Sequence, residues 1–319
     1  MTLIAEWREI SAILPGLDLR PAMREAFVAY SRGQSSVPPV GELLLPDGET
    51  HIKFGHIRGD RSFVIKVATG FYGNPAKGLS TSNGLFLLFD AKTGAPLAIL
   101  LDGGRLTDLR TGLAGAIAAE CLSPRPVEAI GVIGTGIQAR RQVENLMPVT
   151  PCRRLVVYGR SPAAAAAYRD EMEANGFSVV VASLPSDVAA QANLIVTTTP
   201  STEPLLHARD VRAGSHITAV GADSPAKNEL DPMLIARADR VIADSISQCC
   251  ERGEIHHALR RGLVTASGIS ELGSVIAGDS PSRNSSTEIT IADLTGVAVQ
   301  DIVIAQTVFA ALRQEKEAT

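Results

Sequence analysis

The pattern of apolar and polar positions changes character near Ser123. Before it the pattern is mixed. "PAMREAFVAYSRG" spaces its apolar residues for a helix, with Pro21 suited to the first turn and Gly33 to a stop. "ETHIKFGHI" and "SFVIKVATGFYG" are rich in β-branched and aromatic residues and predict strands. "GLFLLFDAKTGAPLAILLDGG" predicts a hairpin turning at "AKTG". "TDLRTGLAGAIAAECL" predicts a helix of small residues that packs closely on a neighbour, and "SPRP" (Ser123 to Pro126) ends it.

After this break, strand and helix patterns alternate. "VEAIGVIG", "RLVVYGR", "FSVVVA", "ANLIVTTTP", "SHITAVGAD" and "DRVIADS" are strand candidates, and helices such as "AAAAAYRDEMEANG" lie between them. Near-continuous apolar strands separated by helices predict a parallel sheet covered on both faces, the doubly wound α/β class. The tail, "IADLTGVAVQDIVIAQTVFAALRQEKEAT", predicts one long amphipathic helix that returns to the first domain.

A length of 319 residues suggests two domains and is ample for a core. The net charge of -4, with basic residues scattered, argues against nucleic acid or an anionic membrane and for a small-molecule ligand. Cys121, Cys152, Cys249 and Cys250 lack the spacing of a secreted framework and are expected as reduced thiols. No leader pattern is read at the N-terminus, and no apolar run approaches the ~20 residues of a membrane span. A cytoplasmic protein is the expectation.

The candidate chemistry begins at "GTGIQA", which fits G-x-G-x-x-A with Gly134, Gly136 and Ala139 after an apolar strand and before a helix. Gly134 permits the tight turn, Gly136 lets backbone approach a pyrophosphate, and Ala139 lets helix and strand pack closely. The first helical residues, Ile137 and Gln138, then offer N–H groups to phosphate, and Thr198 and Thr199 in "VTTTP" are expected beside the same cofactor. The next strand ends "VVYGRSP", with Arg160 and Ser161 where an NAD binder carries a carboxylate for the ribose. That favours NADP(H) over NAD(H), unless Arg160 is simply a solvated loop arginine.

Six ordered blocks carry a resemblance to a known family: "FYGNPAKGLSTSNGLFLLFDAKTG", "LTDLRTGLAGAIAAE", "VIGTGIQARRQVENL", "AVGADSPAKNELDP", "ERGEIHHAL" and "ITIADLTGVAVQDIVIAQ". Over nearly its whole length the sequence resembles the ornithine cyclodeaminase/mu-crystallin family. The resemblance implies a Rossmann domain, residues 124–296, inserted into a mixed α+β substrate-binding and dimerisation domain, residues 1–123 plus about 297–319. It further implies a homodimer acting on a small amino or imino acid.

Residue by residue, the resemblance places a substrate-carboxylate lysine at Lys66. A lysine in an apolar strand is costly to bury without an anion, although an edge strand would let it reach water. Arg110 matches a carboxylate-binding arginine, with a salt bridge to Asp108 or Asp102 as the plain alternative. Thr81 matches a polar contact near substrate or nicotinamide. Asp223, at the carboxyl end of a predicted strand, matches the acid–base aspartate, or caps the next segment. Relatives carry an arginine after paired prolines; Val40 stands there in "VPPVGELLL", and Lys53 and His56 are candidates to replace it. "HIKFGHI" and "VTTTP" resemble the ectoine-utilisation branch, which puts ornithine as substrate in doubt. Glu254, His256 and His257 offer a poor metal set, because adjacent histidines leave a helix on different faces, and no metal is expected.

The leading expectation is therefore an imine reductase using NADP(H) or NAD(H). A cyclodeaminase with bound NAD, a related amino-acid dehydrogenase and a non-catalytic ligand binder are the rivals.

Overall fold

The computed structural model describes residues 2–318. They divide into two compact units, residues up to Arg110 together with those from Val297 onward, and Thr111–Gly296.

The first unit is built on a seven-stranded sheet. Its strands are β1 (Leu3–Glu6), β2 (Ser35–Ser36), β3 (Gly41–Leu45), β4 (Gly48–Ile57), β5 (Ser62–Gly70), β6 (Ser82–Asp90) and β7 (Pro96–Leu101). The order is β1-β7-β6-β5-β4-β2, with β3 also paired to β4. Every pair is antiparallel except β1 on β7. The β6–β7 hairpin turns at "AKTG", as the sequence predicts. Helices α1 (Trp7–Ile13), α2 (Arg20–Ser31) and the terminal α11 (Ala298–Ala318) complete the unit, and α11 packs on β4 and β5. Alternation along β4 turns His51, Lys53 and Gly55 inward and leaves Ile52 and Phe54 outward. Gln306 of α11 donates to Asp60 and Ser62, pinning the helix to the turn between those strands.

Helix α3 (Arg105–Leu122) follows β7, and the division between units falls within it. In the second unit its small residues admit α4 (Ile137–Leu146) very closely. A Cβ on Gly115 would collide with the Gln142 side chain, whose amide donates to the Thr111 carbonyl.

The second unit is an eight-stranded, wholly parallel sheet. Its strands are β8 (Ile130–Ile133), β9 (Arg154–Tyr158), β10 (Ser178–Val181), β11 (Leu194–Thr197), β12 (His216–Ala219), β13 (Arg240–Ala243), β14 (Ser270–Glu271) and β15 (Thr290–Asp293). The order β10-β9-β8-β11-β12-β15-β13-β14 reverses at β8, the arrangement of a doubly wound fold. Alternate residues feed two cores: Ile130, Val132 and Val157 on one face, Ile133, Val156 and Ile195 on the other. Helices α4, α5 (Pro162–Ala174), α6 (Pro185–Gln191), α7 (Pro232–Arg237), α8 (Ile246–Cys249), α9 (Glu254–Arg260) and α10 (Leu272–Ala277) connect the strands.

One expectation is corrected. The tail is not helical from "IADLTG" onward: Thr290–Asp293 form β15, between β12 and β13, and the helix begins at Ala298. The β-branched run "ITI" suits a buried parallel strand, and pairing on both sides outweighs local helical spacing.

Candidate functional site

In the first unit, Lys53 and Lys66 lie directly opposite each other on β4 and β5 and are both buried. Like charges across a strand pair repel. Arg110 of α3 is buried with them, and the acid that meets them is Asp301, in the first turn of α11. Lys66 Nζ stands 3.1 Å from Asp301 Oδ2, and Arg110 Nε 2.9 Å from Oδ1. Arg110 also donates through Nη1 to Gln300 Oε1 at 2.9 Å. The two ion pairs are close but poorly aligned, so neither Asp301 oxygen nor Arg110 Nε makes a well-directed hydrogen bond. Burial, with Arg110 beside it, lowers the Lys66 ammonium to about 7, while Asp301 pulls the other way. Asp102, buried nearby in the chain before α3, accepts from Leu106 N–H, and burial raises its carboxyl to about 6.

Arg110 therefore pairs with Asp301 rather than with Asp108 or Asp102. Lys66 belongs to a central strand and is fully enclosed, which removes the edge-strand alternative. His56 does not join Lys53. An even number on a strand whose odd positions turn inward puts it elsewhere, and Nε2 meets the Asp60 carbonyl at 3.0 Å. Thr81 lies in the segment before β6, its carbonyl accepting from Phe71 N–H.

In the second unit, Gly134 ends β8 at a φ of +117°, where an added Cβ would strike the Thr198 hydroxyl. Gly136 caps α4 with open space where its Cβ would be, and no side chain caps that helix. The first amides of α4, from Ile137 and Gln138 onward, thus begin beside a glycine with open space in place of a side chain, which fits a pyrophosphate. Ala139 is fully buried, and Tyr168 donates to its carbonyl. Thr198 holds the Ile133 carbonyl through both N–H and hydroxyl, and Thr199 N–H donates to Glu229 at 2.6 Å. After β9, Arg160 is exposed, whereas Ser161 is occupied as the N-cap of α5, accepting from Ala164 N–H.

Asp223 follows β12. Its Oδ1 stands 2.7 Å from the ammonium of Lys227, and its carbonyl accepts from Arg252 Nη1. Behind it, Glu229 bridges strand ends, accepting from Thr197 Oγ1, Thr199 N–H and Gly221 N–H, and burial raises its carboxyl to about 7. Glu254 accepts from Glu229 N–H, Leu230 N–H and Asn228 Nδ2, with burial raising it well above the carboxylate range. His256 and His257 turn to different carbonyls, those of Cys250 and Lys227. Among the described residues no group of three or more His, Cys, Asp or Glu side chains is set to hold a metal, and all four cysteines are free.

The model of the ornithine cyclodeaminase/mu-crystallin family matches residues 2–316. The chain belongs to that family. An uncharacterised cyclodeaminase from Sinorhizobium fredii is 40% identical over 307 residues, 94% of this chain and 93% of that protein. The iminosuccinate reductase of Paracoccus denitrificans is 32% identical over 313 residues, 97% of this chain and 95% of its own. Among solved structures, an archaeal alanine dehydrogenase dimer with bound NAD superposes with a TM-score of 0.91 at 33% identity, covering 99% and 97% of the two chains.

For this member of the family, the residues that sequence reasoning passed over are Asp301, Gln300, Lys227, Glu229 and Arg252. A signal existed for the first: Asp301 is a lone carboxylate in the apolar run "GVAVQDIVIA". Glu229 and Arg252 gave none, because their partners, mostly backbone groups, are brought in only by folding.

Proposed function

We propose that this chain is an NAD(P)H-dependent imine reductase acting at the α-carbon of a small imino acid of the pyrroline-carboxylate type. The observation that carries the reading is the buried set of Lys53, Lys66 and Arg110, of which Lys66 and Arg110 share Asp301 in misaligned ion pairs. Such a cluster has charge left for a substrate carboxylate, which a guanidinium grips in two places and so fixes the α-carbon. Lys66 and Arg110 are the carboxylate clamp, Lys53 supports it in place of the missing arginine at Val40, and Thr81 adds a polar contact.

A bound nicotinamide supplies the hydride, or accepts it in the reverse direction. Gly134, Gly136, Ile137, Gln138 and Ala139 hold its pyrophosphate, with Thr198 and Thr199 beside them. Exposed Arg160, with Ser161, meets a 2′-phosphate, so NADP(H) is preferred and NAD(H) is accepted. Asp223 serves the substrate nitrogen. Residues 124–296 form the dinucleotide-binding domain and the remainder the substrate-binding domain. The related reductase and dehydrogenase, and the NAD in the archaeal structure, support a nicotinamide cofactor and an amino- or imino-acid substrate by similarity.

The outward sheet face of the first unit supports a homodimer. Leu43, Ile52 and Phe54 are exposed there, between 36% and 58%, an apolar area that a single chain seldom leaves open. Nothing in the charge distribution favours nucleic acid, and among the described residues no helix is long and apolar enough to cross a membrane.

The name of the Sinorhizobium relative favours a second reading, a cyclodeaminase converting ornithine to proline and ammonia with bound NAD. Absorbance at the reduced-nicotinamide band separates them. Consumption of NADPH by a cyclic or linear imino acid is the expected result. Ammonia from ornithine in the presence of NAD, with no net change in absorbance, supports the cyclodeaminase instead.

A further inference from the structure

The acid of the second cluster has a partner that the reading above leaves without a task. Lys227 is buried, its side chain 9% exposed, while the Asp223 side chain it meets is 37% exposed. The ammonium is thus the enclosed member of the pair, and the carboxylate is the member open to a ligand. The lysine is held in place by its own turn. Its N–H donates to the Ser224 carbonyl, and its carbonyl meets His257 Nε2 at 2.9 Å. Arg252 adds a second cation, reaching the Asp223 carbonyl. His257 of α9 holds the backbone of the same turn, and the next residues, Asn228 and Glu229, donate to the buried Glu254.

Resting on the imine-reductase reading, we propose that Lys227 is a positioning residue that keeps Asp223 ionised, so that Asp223 recognises the substrate as its protonated iminium cation rather than donating a proton to it. An opposite charge within hydrogen-bond distance favours the ionised carboxyl. A carboxylate so paired has no proton to give, yet it complements a positive nitrogen. The chemistry balances without an acid in the site. The iminium arrives carrying its proton, a C–H bond forms as the C=N π pair falls onto nitrogen, and the neutral amine takes its next proton from water. The oxidised nicotinamide is the counterpart product. In the reverse direction the substrate ammonium returns that proton to water, hydride leaves the neutral amine, and the same carboxylate faces the iminium that forms.

The pairing assigns opposite signs to one variant. In Lys227→Met, Asp223 loses its cation and is protonated at higher pH than in the wild type. If Asp223 recognises an iminium, kcat/KM for Δ1-pyrroline-2-carboxylate with NADPH then falls by about 100-fold at pH 6, and the loss shrinks as pH rises. If Asp223 were the proton donor, the same variant would hold its activity to higher pH than the wild type.

The test that needs no substrate is carbon-13 carboxyl NMR of aspartate-labelled protein, with Asp223→Asn assigning the resonance. The expected result is a carboxylate at pH 7 in the wild type, a titration moved to higher pH in Lys227→Met, and its return in Lys227→Arg. A protonated Asp223 at pH 7 in the wild type, or a midpoint that does not move in Lys227→Met, overturns the proposal. Should Lys227→Met not fold, the wild-type charge state still decides. If the wild type reduces no imine at all, the reductase reading falls, while the titration still rules on Lys227.

Discussion

Two buried charge clusters, one in each unit, are satisfied in different ways. In the second unit the acids are matched by donors fixed in the backbone. Glu229 accepts from two amides and a hydroxyl, and Glu254 from two amides and an asparagine. Asp293 accepts from Ile255 N–H, and Asp244 from Gly296 N–H and the Thr295 hydroxyl. Burial raises three of them, Glu229, Glu254 and Asp293, towards the neutral form. In the first unit Lys53, Lys66 and Arg110 face Asp301 and Asp102, and the ion pairs there are misaligned. Buried polar groups are normally fully bonded. Under the proposed function the incompletely bonded cluster is the anion seat, while the acids matched by fixed donors are architecture. The difference lies in completeness of bonding rather than in the number of charges.

The comparison predicts unequal consequences. The largest is expected at Arg110→Met, which removes the planar fork and leaves Asp301 with Lys66 alone. Truncating one partner of a buried charge pair costs ~3 kcal/mol or more, so kcat/KM for an imino acid should fall about 100-fold or further. Steady-state kinetics check this, and a change under threefold would remove Arg110 from the clamp.

Next comes Arg160→Ala. Losing a charge-assisted contact to a 2′-phosphate costs ~2 kcal/mol, so the NADPH preference over NADH should drop about 30-fold. An unchanged ratio would make Arg160 a solvated arginine.

The pH responses have opposite signs. Lys66 is lowered from 10.5 to about 7, so the unfolded chain holds the extra proton between these values and this group makes stability rise with pH across that window. Its charge is lost above about 7, so KM for the carboxylate substrate should rise there in the wild type. Glu229 is raised from 4.5 to about 7, so the folded chain holds the extra proton and its contribution to stability is lost as pH rises through that window. Melting curves should show Glu229→Gln with a shallower fall in Tm between pH 4.5 and 7 than the wild type. An identical slope would break the assignment. The smallest effect on chemistry is expected from Phe54→Asp on the outward sheet face, which should yield monomers by light scattering. A dimer unaffected by the change would place the interface elsewhere.

Much of the fold was legible because the signals were local. The apolar runs of β8, β9, β11 and β12 and the Gly134 turn each state their structure within a few residues. The "ITI" of β15 did not, since a four-residue strand merges into the helical pattern that follows unless its two neighbours are known. The chemistry followed the same rule. Lys66 and Arg110 were visible as charges in apolar surroundings, but their shared partner lies 190 residues or more along the chain, and only folding brings Asp301 to them. Lys227 was hidden for another reason: four residues from Asp223 in a turn, it reads as an ordinary surface lysine until its burial is seen.

The most direct test of the central claim, that the misaligned cation cluster is a carboxylate seat, is a comparison of two substrates. Δ1-pyrroline-2-carboxylate and its parent Δ1-pyrroline differ only in that group. With NADPH and the wild-type protein, the account predicts kcat/KM for the carboxylate to exceed that for the parent by about 10⁴-fold, as expected where buried polar groups would otherwise lack their ligand. Reduction of both imines at similar kcat/KM would contradict it.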